Sequence, residues 1–206
     1  TNITRTNVNE VSKILNFSSN IRVAICNANT LVRSVKDEKI RNSVNNFTVK
    51  TPDGFPVAKA LSFLEKEKFP RVDGYKVFLQ TISDGLETNK RHYFFGNNEA
   101  TTIKMIDNLK EHYPSIKISG HICPERMTAD ELVKKHKKDF ESIDADIIWV
   151  SLGFPKQELF IDKIFTEIDI NINIVGIGGV FEWVAGTKKK APEWLANIGL
   201  EWLLRL

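Results

Sequence analysis

Asp53 stands between Pro52 and Gly54, directly after the β-rich run Phe47 to Thr51. A carboxylate held at such a turn can take a proton from an attacking hydroxyl, which is the work of a general base. The same Asp-Gly pair also reads as a plain turn. Four other apolar runs end in loop-type residues: Asn27-Ala28-Asn29, Gly96-Asn97-Asn98, Gly153 to Glu158 (GFPKQE), and Gly176-Ile177-Gly178-Gly179. Glycines let a ligand approach the backbone, and the free N–H groups of a following helix turn attract phosphate. A nucleotide or sugar-nucleotide site is the chemistry these stretches point to.

Other chemistries fit less well. The GIGG stretch lacks the full G-x-G-x-x-G spacing, and Glu182 follows it too closely to be the acid that a dinucleotide ribose needs about 20 residues on. A nicotinamide-dependent oxidoreductase is therefore not expected. There is no P-loop, and the sequence shows no His/Cys cluster or paired Asp-x-Asp with metal-site spacing,. The expectation is a site without a required metal or other cofactor.

Elements that would position these loops alternate along the chain as short β-rich runs and longer helical patterns, the signature of an α/β domain with a largely parallel sheet. Strands are expected at Arg22 to Cys26, Phe47 to Thr51, His92 to Gly96, the KISGHI run, DIIWVSLG and INIVGIGG. The last two are the most apolar and should lie centrally, covered on both faces. Helices are expected over 29–44, 55–66, 98–112, and in TADELVKKHKKDF, where Thr128 and Glu131 fit a capping box. Asp84-Gly85 reads as a turn. A final amphipathic helix should begin at Pro192 and carry Trp194, Leu195, Ile198, Trp202 and Leu203 on one side, packed against the sheet. In a parallel sheet of this kind, ligands bind beyond the carboxyl ends of the strands. All five loop stretches then share one end of the molecule.

The chain has 206 residues, of which 42% are apolar, enough for one core,. Residues 1–20 read as an N-terminal extension without assigned structure, and 21–206 as one domain. A net charge of +3 is far below what a nucleic-acid binder carries,. The KKHKK cluster reads as a solvated helix face; Lys188 to Lys190 sit beside glycines and tryptophans, where a solvated face and a functional role both stay open. Cys26 and Cys123 read as ordinary buried thiols in a reducing compartment. No apolar run is long enough to span a membrane, so any membrane contact is peripheral.

Taken together, NAN after the first strand, TPDGFPVAKAL, FFG before a helix, SLGFPKQE, VGIGGVFEWVAG and the ending APEWLANIGLEWLLRL resemble the WecG/TagA/CpsF glycosyltransferases, in order, from about residue 21 to the end. The resemblance implies a Rossmann-like single domain and a bacterial, inverting transferase. Such an enzyme moves N-acetylmannosamine, its uronic acid or a related hexose from a UDP donor to a polyprenyl-pyrophosphate-linked sugar. Its products serve teichoic acid, common antigen, capsule or exopolysaccharide synthesis at the cytoplasmic membrane face. Carried over by position, Asp53 matches the proposed base, Arg71 an arginine near the donor phosphates or acceptor, and Gln157 a polar donor contact. Asn27, Asn29, Gly96, Gly153, Gly178, Gly179 and Glu182 complete the expected substrate-binding set.

Three positions depart from the family pattern. Ile25 replaces a threonine, Lys76 replaces the acid of a G-x-D, and Glu182 replaces an aspartate. The third change is milder; Ile25 and Lys76 motivate the alternative of a nucleotide-sugar-binding module with weak or no transferase activity. Family members also continue past this ending with a basic segment that closes the site and touches the membrane, which this chain is expected to lack. A homo-oligomer is left open.

Overall fold

Residues 2–192 and Leu195 are described by the structure, a computed structural model. They form a six-stranded sheet in the order β2-β1-β6-β5-β3-β4, with every neighbouring pair parallel. The strands are β1 (Arg22–Cys26), β2 (Val49–Pro52), β3 (Arg91–Gly96), β4 (Lys117–Ile122), β5 (Ile147–Ser151) and β6 (Asn173–Gly176). Parallel neighbours require helical crossovers, and those helices cover both faces.

The two central strands show the result. Ile147 and Trp149 of β5 point into one core and Ile148 and Val150 into the other, and all four are inaccessible to solvent. On the first face lie α1 (Val8–Phe17), α5 (Gly74–Gly85), α6 (Glu99–His112) and α9 (Val180–Val184). On the second lie α3 (Glu38–Asn45), α7 (Ala129–Ser142) and α8 (Lys156–Glu167), with Leu31 of α2 (Ala28–Lys36) and Leu61 of α4 (Phe55–Glu65) packed against that core. Each fully buried Ile, Val or Phe contributes about 1.5–3 kcal/mol by removal from water. The expected capping box is present: Thr128 Oγ1 accepts from the Glu131 N–H at 3.3 Å, and Glu131 Oε2 accepts from the Thr128 N–H at 2.8 Å.

Four expectations are corrected. First, the N-terminal extension is structured. Asn7 caps α1, Val11 and Leu15 are fully buried against α5, and Asn173 Nδ2 donates to Leu15 O and Ser18 O at 2.8 Å. The Thr4 N–H donates to Lys50 O at 2.8 Å and so covers the exposed edge of β2. An unpaired strand edge needs such a cover.

Second, the single helix expected over 29–44 is broken at Asp37. That residue ends α2, and its carboxylate accepts from the Ile40 N–H at 3.1 Å to start α3. Third, Asp84-Gly85 closes helix α5 instead of forming an isolated turn. Val77, Phe78, Thr81 and Ile82 bury one face of α5 at helical spacing, a pattern obscured by the polar residues between them.

Fourth, Cys123 is only half-buried, although Cys26 is fully buried as expected. In the tail, Leu195 is buried and its N–H donates to Pro192 O at 3.0 Å. The rest of the helix expected there, with Trp194, Ile198, Trp202 and Leu203, lies outside the described residues.

Candidate active site

Because all strands run the same way, the loops after β2, β1, β6, β5 and β3 emerge at one end of the sheet in that order. Adjacent strands lie about 4.8 Å apart, so Asp53 and Gly96 stand roughly 19 Å from each other, with the β6 and β5 loops between them.

Asp53 leaves β2 half-buried, and its N–H donates to Cys26 O at 2.9 Å, which extends the ladder one residue past the strand. The returning chain then joins it: the Val72 N–H donates to Pro52 O at 2.9 Å. The flanking residues of this bond are Asp53 and Arg71. Two candidates eighteen positions apart in sequence are thereby held next to one another.

Behind Arg71 lies a buried carboxylate that the sequence reading did not single out. Asp73 caps α5 by accepting from the Tyr75 N–H at 2.9 Å, and its Oδ2 lies 3.5 Å from Arg71 Nη2 and 2.6 Å from Lys190 Nζ. Lys190 also sits 4.4 Å from the centre of the Tyr75 ring. So the acid missing at exposed Lys76 is present one turn earlier, and of the three basic residues 188–190 it is Lys190 that faces it. Lys188 instead pairs with Glu182 at 2.7 Å on the rim. Ile25, where a hydroxyl was expected, packs against Gly74: a Cβ on that glycine would lie 3.3 Å from it.

The middle of the crevice is built by the β5 and β6 loops. Gly153 (φ 75°) and Gly178 (φ 55°) adopt left-handed backbone, and a Cβ at either would meet no atom within 4 Å. Open space at a glycine is what close approach of a ligand to backbone requires. Gly179 follows at the start of α9. Gly96 is different. With φ 118° its Cβ would lie 2.4 Å from Ser151 O, so glycine there is explained by strand packing. Ser151, also absent from the sequence reading, joins three loops: Oγ donates to Gly178 O at 2.6 Å, and Ser151 O accepts from the Asn97 N–H at 2.9 Å. A small polar residue closing an apolar strand was the available signal.

Gln157 is buried, with internal partners at both ends of its amide. Its Oε1 accepts from the Gly178 N–H at 3.1 Å, and its Nε2 donates to Glu158 Oε1 at 2.8 Å. Its visible work is to tie the β5 and β6 loops together. Glu158 is 1% exposed, and burial pushes its carboxyl up to about 7 against the pull of Gln157. The same burial, with Glu158 as the next contribution, raises the Cys26 thiol far above its ordinary range, leaving it an unreactive packing group,.

Asn27 caps α2, accepting from the Thr30 N–H at 3.1 Å, whereas Asn29 is exposed on the first turn. At the far side of the sheet, Glu99, His121 and Cys123 converge, with ligand-type atoms all within 4.8 Å of one another. No such cluster was expected; its visible signal was the His-x-Cys spacing in GHIC. Burial pushes the Cys123 thiol up to about 11.

The arrangement offers a carboxylate at the crevice edge, two cations converging on a buried acid beside it, and an open glycine backbone in the middle. Such a set can remove a proton, neutralise a leaving diphosphate and hold a phosphate chain.

The sequence model described as the glycosyl transferase WecG/TagA/CpsF family matches residues 1–206. The chain is 30% identical over 158 residues to an N-acetylglucosaminyldiphosphoundecaprenol N-acetyl-beta-D-mannosaminyltransferase of Bacillus spizizenii, covering 75% of this chain and 58% of that enzyme. Proteins of the same name are 25% identical in Bacillus subtilis (187 residues, 89% of this chain, 70% of the relative) and 24% identical in Staphylococcus aureus (191 residues, 91% and 72%). The chain thus spans between 58% and 72% of the length of these relatives.

Proposed function

The chain belongs to the WecG/TagA/CpsF glycosyltransferase family, and from that premise we propose that it transfers N-acetylmannosamine or a related hexose from a UDP donor to a polyprenyl-pyrophosphate-linked sugar. The relatives' shared name specifies the N-acetylmannosaminyl group and a diphosphoundecaprenol-linked N-acetylglucosamine, which makes that pair the first to test. The observation that carries the reading is the bond from the Val72 N–H to Pro52 O, which sets Arg71 beside Asp53 at the carboxyl end of the sheet.

In this reading the donor diphosphate lies over Gly153, Gly178 and Gly179, where no side chain stands between ligand and backbone, and Gln157, accepting from the Gly178 N–H, holds the two loops in place. The acceptor hydroxyl oxygen attacks the anomeric carbon while Asp53 takes its proton. The bond from that carbon to the diphosphate oxygen breaks, its electron pair leaves with UDP, and the configuration inverts. Arg71 and Lys190 offset the charge that builds on the leaving group, so the step calls for no divalent ion.

A lipid-linked acceptor also requires contact with a membrane, proposed here for the inner face. Among the described residues no helix is long and apolar enough to cross one. Phe55, Lys59 and Phe63, spaced four residues apart from the first residue of α4, form an exposed stripe beginning two residues after Asp53, and Leu64 beside them is 71% exposed. Apolar side chains interspersed with lysine suit a peripheral position on an anionic bilayer.

The test is a UDP-release assay with UDP-N-acetylmannosamine and diphosphoundecaprenol-linked N-acetylglucosamine, run beside UDP calorimetry. Asp53→Asn is expected to lower turnover by about 10²–10⁴ while UDP binding stays nearly unchanged. Full turnover by that variant would remove Asp53 from the mechanism. UDP binding without release on any donor would favour the binding-module alternative.

A further inference from the structure

Glu99, His121 and Cys123 are the one group among the described residues whose ligand-type atoms converge, and they lie outside the proposed crevice chemistry. We propose that these three side chains bind one zinc-type divalent ion at the edge of the sheet. The backbone explains why they meet. His121 belongs to β4 and Cys123 lies just past its end, two residues apart, and alternate residues of an extended chain share a face,. Parallel pairing sets Phe94 opposite His121 and Phe95 opposite Ile122, so the helix that follows β3 begins against the end of β4. Glu99 is the first residue of that helix, α6.

The donor set is an imidazole nitrogen, a thiol sulfur and a carboxylate oxygen, the three ligand types zinc takes. With metal–ligand bonds of about 2.0–2.3 Å, tetrahedral ligand atoms stand roughly 3.3–3.8 Å apart. His121 Nε2 and Glu99 Oε1, now 2.8 Å apart, need to separate by about half an ångström, and the span of 4.8 Å has to shrink,. Both adjustments are rotations of side chains with room to move, since Glu99 is 61% and His121 28% exposed. That exposure supplies an entry path and leaves the fourth position to water. The Thr102 hydroxyl, 3.3 Å from Cys123 Sγ, is placed to donate to the thiolate once the ion has displaced its proton,. The bound ion would tie β4 to α6 beside the Gly96 to Asn98 loop.

The experiment uses the full chain, free of any affinity tag and stripped of metal, titrated with zinc chloride by calorimetry. One equivalent should bind, and the melting temperature should climb with zinc concentration. Cobalt should produce a thiolate-to-metal charge-transfer band in the near ultraviolet. His121→Ala and Cys123→Ser should each weaken zinc binding by at least about tenfold, and Cys123→Ser should also abolish the cobalt band. Melting of each variant without zinc reports whether it folds, and Glu99→Gln, on an exposed helix start, provides a third variant that should bind more weakly. Absence of stoichiometric zinc binding, or equal binding by Cys123→Ser with no thiolate band in the parent, would overturn the site.

Discussion

Glu158→Gln tests the electrostatics beneath the crevice. Glu158 sits in the first turn of α8, 1% exposed, with Oε1 accepting from Gln157 Nε2 at 2.8 Å and Oε2 buried without a hydrogen-bond partner. Glutamine keeps the shape and an acceptor oxygen for Gln157, but it cannot ionise. Burial raises the Glu158 carboxyl from 4.5 to about 7. Between those pH values the unfolded chain has lost a proton that the folded chain still holds. Stability therefore falls as pH rises through this window, by about 3 kcal/mol in all, and then levels off.

His92 works in the opposite sense. It is buried, Trp149 Nε1 donates to its Nδ1 at 3.1 Å, and burial lowers it from 6.5 to about 4. Its contribution is complete above 6.5 and is lost as pH falls toward 4. From these two groups the parent protein is nearly flat between pH 4.5 and 6.5. The glutamine variant should expose the His92 slope and gain about 3 kcal/mol relative to the parent between pH 4.5 and 7, a large share of the 5–15 kcal/mol typical of a domain. Urea unfolding of both proteins across this range measures the difference directly. A difference that stays constant with pH would refute the account of Glu158 as a buried, proton-holding acid.

The two kinds of glycine should separate cleanly. Gly96→Ala forces a Cβ to 2.4 Å from Ser151 O and should prevent folding, whereas Gly153→Ala, facing open space, should cost only about 1–2 kcal/mol of left-handed backbone strain and selectively weaken UDP binding,. Thermal melts with calorimetry distinguish these outcomes, and similar stability losses would contradict them. Lys190→Met removes the 2.6 Å partner of Asp73 and should lower kcat/KM by about tenfold or more, while Lys188→Met, paired with Glu182 at the rim, should change little,. Equal effects in steady-state assays would dissociate Lys190 from the site. Phe63→Ser, at a position 83% exposed, should leave the melting temperature unchanged and reduce sedimentation with anionic vesicles,; unchanged vesicle binding would exclude the α4 stripe as the membrane contact.

Much of the architecture is local and so was readable in the chain. Ile147 to Val150 form an unbroken apolar run because a parallel strand is covered on both faces, and Thr128 with Glu131 mark a helix start because they satisfy each other's backbone groups,. The alternation of strands and helices implies a parallel sheet, and a parallel sheet puts the five loops at one end,. Asp53, Gly153 and Gly178 were visible as candidates for the same reason. Residues that matter through distant partners were not visible in this way. Asp73 becomes a buried acid only when Arg71 and Lys190, two and 117 positions away, arrive beside it. The sequence reads Gln157 as a donor contact and Gly96 as a loop glycine; that the Gln157 oxygen also accepts from the Gly178 N–H, and that Ser151 lies against Gly96, depends on strands brought together from elsewhere. Local sequence determines backbone preference and which face is buried, because those depend on neighbours a few residues away. Only tertiary packing decides which polar groups find partners, because the order β2-β1-β6-β5-β3-β4 sets side by side loops that are far apart in the chain.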